Sequence, residues 1–210
     1  YTLSRHGALP IYQCKGCYAL LLLFLPFSHF HPHPMPQVMN IRCCCPPGPI
    51  VISELMWWSG SSESSADEWI EFYNRSSATI DLSGWTLTRL TTANFRMFIF
   101  DTASIASGQT FLIANYTADH ENSRVATKPQ FVSISISLPN SKFLLQLYDN
   151  TPTNGGPLID SVDDGRGAPF AGSTTPKQAM VRIAFDQPGD QSTSWNTEQR
   201  RAGKRWKHRG

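Results

Sequence analysis

A chain of 210 residues with five cysteines and a formal charge of +2 allows one domain of ordinary size with flanking segments, or two small ones. The charge is uneven: residues 1–49 carry 3 basic and no acidic side chains, residues 50–198 carry 9 basic and 16 acidic, and residues 199–210 carry 6 basic and no acidic. An acidic body argues against a domain that neutralises phosphates across a basic face, and cysteines confined to positions before 46 leave that body without disulfide or thiol chemistry.

The first residue is Tyr1 and not Met, which reads as a fragment, a processed form or an upstream-extended frame. Tyr18 to Phe27 is a run of ten apolar residues, short of the roughly 20 that span a bilayer. Following Lys15, it suits the hydrophobic region of a secretory signal. No small-x-small cleavage site follows, which suits a non-native extension instead, and both readings stand. Cys14, Cys17 and the Cys43–Cys45 triplet, with His29, His31 and His33, invite a zinc reading, but their spacing does not bring four ligands onto a tetrahedron. Residues 1–48 are therefore expected to be a leader or a disordered segment.

From position 50 onward the pattern has period two. In Ile50 to Trp57, Ile50, Ile52, Glu54 and Met56 alternate with Val51, Ser53, Leu55 and Trp57. Ser59 to Ala66 reads as a polar loop too rich in serine to pack. Asp67 to Asn74 alternates again, with Ile70 and Phe72 opposite Trp69, Glu71 and Tyr73, and after Asn-Arg-Ser-Ser the apolar pattern restarts through Ile80, Leu82, Trp85 and Leu87. Further strands are expected at Phe95–Asp101, Thr110–Asn115, Phe131–Ile136, Phe143–Tyr148, Leu158–Val162 and Ala179–Phe185. Eight or nine short strands without a helical stripe predict an all-β, two-sheet β-sandwich over residues 49–186, since a lone sheet would leave an apolar face wet. Residues 187–210 then read as a polar and finally basic tail.

Several of these segments carry a family resemblance. DEWIEFYN with IDLSGWTLT, preceded by IVISELMW and followed by SGQTFLIAN, the LPN turn with FLLQLYDN, and PLIDSVD, resemble the lamin tail domain. The order and spacing of five segments carry the likeness, which spans roughly Pro49 to Phe185. It implies an immunoglobulin-like sandwich, as in bacterial secreted members, and a non-enzymatic role. It also places acids at Glu54 and Glu71. The stretch lacks the heptad-patterned rod and the prenylation signal that a filament-forming lamin would add.

Catalysis has little to work with here. The body offers one histidine, His120, in a polar loop beside Glu121, and no G-x-S-x-G elbow. Its carboxylates are better represented. Glu54 and Glu71 on paired strands, with Asp160, Asp163 and Asp164 in the glycine-bent DSVDDGRG segment, form the candidate metal ligands, and calcium is the cation that hard oxygens would suit, although the EF-hand ligand order is absent. Otherwise no cofactor is expected. If Ile70 and Phe72 face inward, then Trp69, Glu71 and Tyr73 face outward, as a recognition patch or beneath a covering loop. Arg200, Arg201, Lys204, Arg205, Lys207 and Arg209, with Trp206 among them, are candidate contacts for nucleic acid or anionic lipid. Two N-x-[ST] sequons begin at Asn74 and Asn115.

The expected function is a non-catalytic, extracytoplasmic binding or adhesion module with a protein or cell-surface partner and no transmembrane helix. A nucleic-acid- or chromatin-associated module using the basic tail is one alternative. An accessory domain of a larger secreted hydrolase or nuclease is another.

Overall fold

A computed structural model describes residues 47–62, 64–89 and 95–198, without the side chains of 95–99. Fourteen strands account for nearly all its regular structure. β1 (Ile50–Met56), β2 (Trp69–Asn74), β7 (Thr110–Ala114), β8 (Phe131–Val132), β13 (Met180–Arg182) and β14 (Trp195–Thr197) form a six-stranded sheet in the order β14-β13-β1-β2-β7-β8. The second sheet, in the order β10-β9-β4-β5, contains β4 (Thr86–Arg89), β5 (Phe95–Ile99), β9 (Leu145–Tyr148) and β10 (Leu158–Val162). Two small ribbons complete it: β3 (Ile80–Asp81) with β6 (Ser104–Ile105), and β11 (Ser173–Thr174) with β12 (Lys177–Gln178). All ladders are antiparallel except β7 with β8.

The corner between β2 and β4 carries the chain from one sheet to the other. Between the sheets lies the main core, in which Ile50, Ile52, Leu55, Ile70, Phe72 and Ile113 meet Leu87, Leu145, Leu147 and Val162. Trp85 lies inside, and Phe100 bridges Phe72 and Phe111 edge-on, with ring centroids 5.6 and 6.1 Å away.

In β1 the structure departs from strict alternation. A bulge between Ile52 and Glu54 sets Ser53 and Glu54 against Glu71. It shifts the phase by one residue, so Leu55 and Trp57 join Ile50 and Ile52 in the core, while Met56 turns to the opposite face. An unbroken alternation would have aimed Glu54 between the sheets.

The centre of the six-stranded sheet, β1, β2 and β7, is buried on both faces. On its far side Met56, Trp69, Leu112, Ala114 and Ala179 pack with Val125 of the 115–130 loop, and Val181 lies against them. This second layer explains why β1 is buried throughout. Other expectations change as well. The strand at Phe131–Ile136 stops at Val132, because Ile136 turns back to bond Ser133, leaving Ile134 exposed and Ile136 in the core. The domain does not end at 186: β14 pairs with β13, and Trp195 enters the core. The serine-rich loop packs, with Ser59 and Ser61 buried. Among the described residues no helix is long and apolar enough to cross a membrane; the apolar run at 18–27 lies outside them.

Candidate functional site

Four buried carboxylates, those of Asp67, Glu68, Asp160 and Asp163, organise the sandwich, and each accepts a backbone amide. The bulge in β1 leaves the Ile52 N–H pointing at Asp160 on β10, whose Oδ2 accepts it at 2.8 Å. Arg182 on β13 donates to the same oxygen at 2.6 Å, and its other donors reach Ile52 O, Ala184 O and Gln187 O. Its guanidinium lies 5.4 Å from the Trp195 ring. Asp160 and Arg182 therefore tie the two sheets together inside the core. Burial pushes the Asp160 carboxyl up, and the guanidinium and the Ile52 amide pull against it.

Asp163 sits at a left-handed φ of 69° and is fully buried. Its two oxygens accept the amides of Asp164 and Phe170, both at 2.7 Å, which closes the loop after β10. Burial raises this carboxyl too. Asp163→Ala should lower stability by about 2 kcal/mol through two unpaired amides, read as a lower denaturant midpoint at unchanged slope.

The third group opens β2. Asp67 Oδ2 accepts Arg124 N at 2.9 Å and anchors the loop that covers Trp69. Glu68 Oε2 accepts Leu138 N at 2.9 Å, holding the start of the LPN turn. Burial pushes the Asp67 carboxyl up to about 6, against the pull of the Arg124 amide and of the Arg124, Lys177 and His120 charges. It pushes Glu68 up to about 7, against the Leu138 amide and the Arg89 charge. Gly60 packs so closely that a Cβ would lie 2.7 Å from Trp69 Cζ3 and 2.9 Å from Asp67 Oδ2. Gly60→Ala should accordingly lower stability by about 1–2 kcal/mol, read as a lower Tm, because the buried indole has no room to yield.

The expected recognition patch is corrected by this packing. Trp69 and Glu71 do face away from the main core, but both are buried, Trp69 beneath the second layer and Glu71 against Ser53, whose hydroxyl donates to Oε1 at 2.7 Å. Tyr73 is half-buried, its ring 5.2 Å from that of Phe185. Both sequon asparagines are structural: Asn74 donates to Ala78 O and Ile105 O, and Asn115 to Ser133 O and Ile136 O.

The five candidate metal ligands do not converge. Glu54 and Glu71 do pair across β1 and β2, as expected of acids on paired strands, but only because the β1 bulge carries Glu54 to the face that Glu71 occupies. Asp160 belongs to Arg182, Asp163 to its loop, and Asp164 bonds the Arg166 amide and pairs with its side chain at 3.7 Å. Among the described residues, no three His, Cys, Asp or Glu side chains are grouped as metal ligands, so this carboxylate set does not fit a calcium ion. His120 stacks on Tyr116 at 4.3 Å, and its Nδ1 accepts the Asn122 amide. The candidate tail contacts from Arg200 to Arg209 lie outside the described residues.

What the sequence did not single out is a cleft of about 300 Å³ beside the serine-rich loop. Trp58, Glu68, Asn140 and Lys177 line it, with four serines of the 59–65 loop. Trp58 is exposed and meets Trp57 edge-on at 6.4 Å. Lys177 Nζ donates to Ser61 O. The signal available was the exposed partner in the Trp57–Trp58 pair, but only the fold brings Asn140 and Lys177 to it.

A two-sheet body with this order of segments can be compared with known families. A family model described as the Lamin Tail Domain matches residues 46–166, more than half of the chain. The chain belongs to the lamin tail domain family. Residues 167–197 lie beyond the matched span yet supply β11 to β14 of this lamin tail domain. A crystal structure of a DUF4876 family protein from Bacteroides thetaiotaomicron VPI-5482 is similar at 10% identity and a TM-score of 0.37, over 73% of this chain and 68% of that one. No curated protein matches the chain.

Proposed function

We propose that this lamin tail domain is a non-catalytic, extracytoplasmic binding or adhesion module for a protein or cell-surface partner. The observation that carries this reading is the use of its acids. Asp67, Glu68, Asp160 and Asp163 each accept a backbone amide, so their oxygens maintain loops and sheet contacts. Trp58, Asn140 and the serines instead stand at an open cleft on a body held rigid from both sides. Rigid scaffolds that present polar loops and an aromatic anchor suit recognition. The apolar run before the domain supports export. Cell fractionation with sequencing of the mature N-terminus tests the reading: an exported protein lacking residues 1–27 is expected, and a cytosolic protein with residues 1–49 intact overturns it.

The basic end motivates a second reading, contact with nucleic acid through residues 199–210. Deleting those residues should abolish retention on DNA and flatten its salt dependence. Retention that survives the deletion rejects it.

A further inference from the structure

The cleft beside Trp58 has a composition that narrows its ligand. One wall is an exposed indole, and the rest is hydroxyl, amide, carboxyl and ammonium. Its described lining holds one ammonium, Lys177, already bonded to Ser61 O, and one carboxyl, Glu68, so no cluster of like charges marks it for an ion. A volume of about 300 Å³ is at the small end of ligand sites, the scale of a single ring. A neutral pyranose offers the complementary chemistry: a C–H face that packs on an aromatic ring, and a rim of hydroxyls that both donate and accept.

The walls are also held in place before any ligand arrives. Ser59 Oγ accepts the amides of Asp67 and Ser61 and donates to Ser64 O, pinning the serine loop onto the start of β2. Ser64 Oγ lies 3.0 Å from the Tyr116 hydroxyl. Trp57, whose Nε1 donates to Ala171 O at 2.7 Å, backs Trp58 edge-on. Glu68 is fixed by the Leu138 amide, in the turn that also places Asn140 at the rim. A site whose side chains are already ordered loses less conformational freedom on binding.

We propose that this cleft is a carbohydrate subsite, with one pyranose of a neutral glycan packed on Trp58 and its hydroxyls bonded by Asn140, Glu68, Lys177 and the 59–65 serines. This deepens the binding-module reading and rests on it. Burial holds Glu68 near half-protonated at neutral pH, which lets it donate to a sugar hydroxyl as well as accept from one.

Affinity electrophoresis of the full chain through gels containing soluble β-glucan, xylan or galactomannan tests the assignment. Retardation by at least one polysaccharide is expected, with affinity falling at least about tenfold in both Trp58→Ala and Asn140→Ala and staying unchanged in Phe185→Ala. Trp58 and Asn140 are exposed, so both variants should keep the wild-type melting profile. No retardation by any of the three overturns the proposal, and so does retardation that Trp58→Ala and Asn140→Ala leave intact. An exported domain failing this test leaves the module reading standing, whereas a cytosolic chain sinks that reading whatever the gels show.

Discussion

Arg182→Ala lowers the stability of the domain by about 3–5 kcal/mol, with a fall in Tm on the order of 10 °C. The cause is less the lost attraction than what remains. Asp160 would stay buried in the core with its charge unmatched, and the carbonyls of Ile52, Ala184 and Gln187 would lose their donor. The packing of the guanidinium against Trp195 goes as well. Replacing both partners, as in Asp160→Leu with Arg182→Met, should recover part of the loss, because a buried ion pair can be exchanged for apolar volume at little cost. Recovery stays incomplete because the Ile52 amide, freed by the β1 bulge, still needs the acceptor that Asp160 supplied. Thermal melts of the single and double variants measure this. A double variant as weak as Arg182→Ala would show that the ion pair is not the source of the effect.

The second expected result is a stability that declines as pH rises from about 4.5 to 7. Folding raises the Glu68 carboxyl from 4.5 to about 7 and the Asp67 carboxyl from 3.8 to about 6. Between the unfolded and folded values the native state therefore holds protons that the unfolded chain has released. The contribution is fully present below the unfolded values and is lost as pH rises through the folded ones. For Glu68, which is almost wholly buried, the loss is on the order of 3 kcal/mol. Glu68→Gln keeps an oxygen for the Leu138 amide and has no charge to desolvate. It should match the wild type at pH 5, exceed its stability at pH 8, and remove most of the slope between them. Melting followed by circular dichroism across pH 5 to 8.5 reads this directly. A wild-type slope that Glu68→Gln leaves unaltered would contradict the assignment.

Much of the architecture was legible because a strand's side chains alternate between its faces. Ile70 and Phe72 face the main core as the alternation implies, and Trp85 joins them after the corner, as buried aromatics do in sandwiches, whereas Glu54 meets Glu71 on one face only through the β1 bulge. Alternation says nothing about what covers the second face, so Trp69 looked like a surface residue. Its burial depends on Val125, 56 positions along in a loop of polar composition. Nor does alternation announce a bulge. The switch at Ser53–Glu54 shows only against its partners, since Leu55 and Trp57 are apolar and would suit either face. β14 was missed for a related reason: Trp195 is a lone aromatic among Ser, Asn and Thr, and pairing with β13 makes it a strand.

By itself, then, the order of residues determined an all-β sandwich and the lamin tail family, because period two and turn chemistry are properties of neighbours along the chain. Tertiary structure decided which acids stay with the backbone, which aromatics stay wet and where a cleft opens. Those outcomes turn on desolvation and on hydrogen bonds between residues far apart in sequence: 108 positions separate Ile52 from Asp160, and 70 separate Leu138 from Glu68. Trp58 likewise acquires Asn140 and Lys177 as neighbours only when the sheets close.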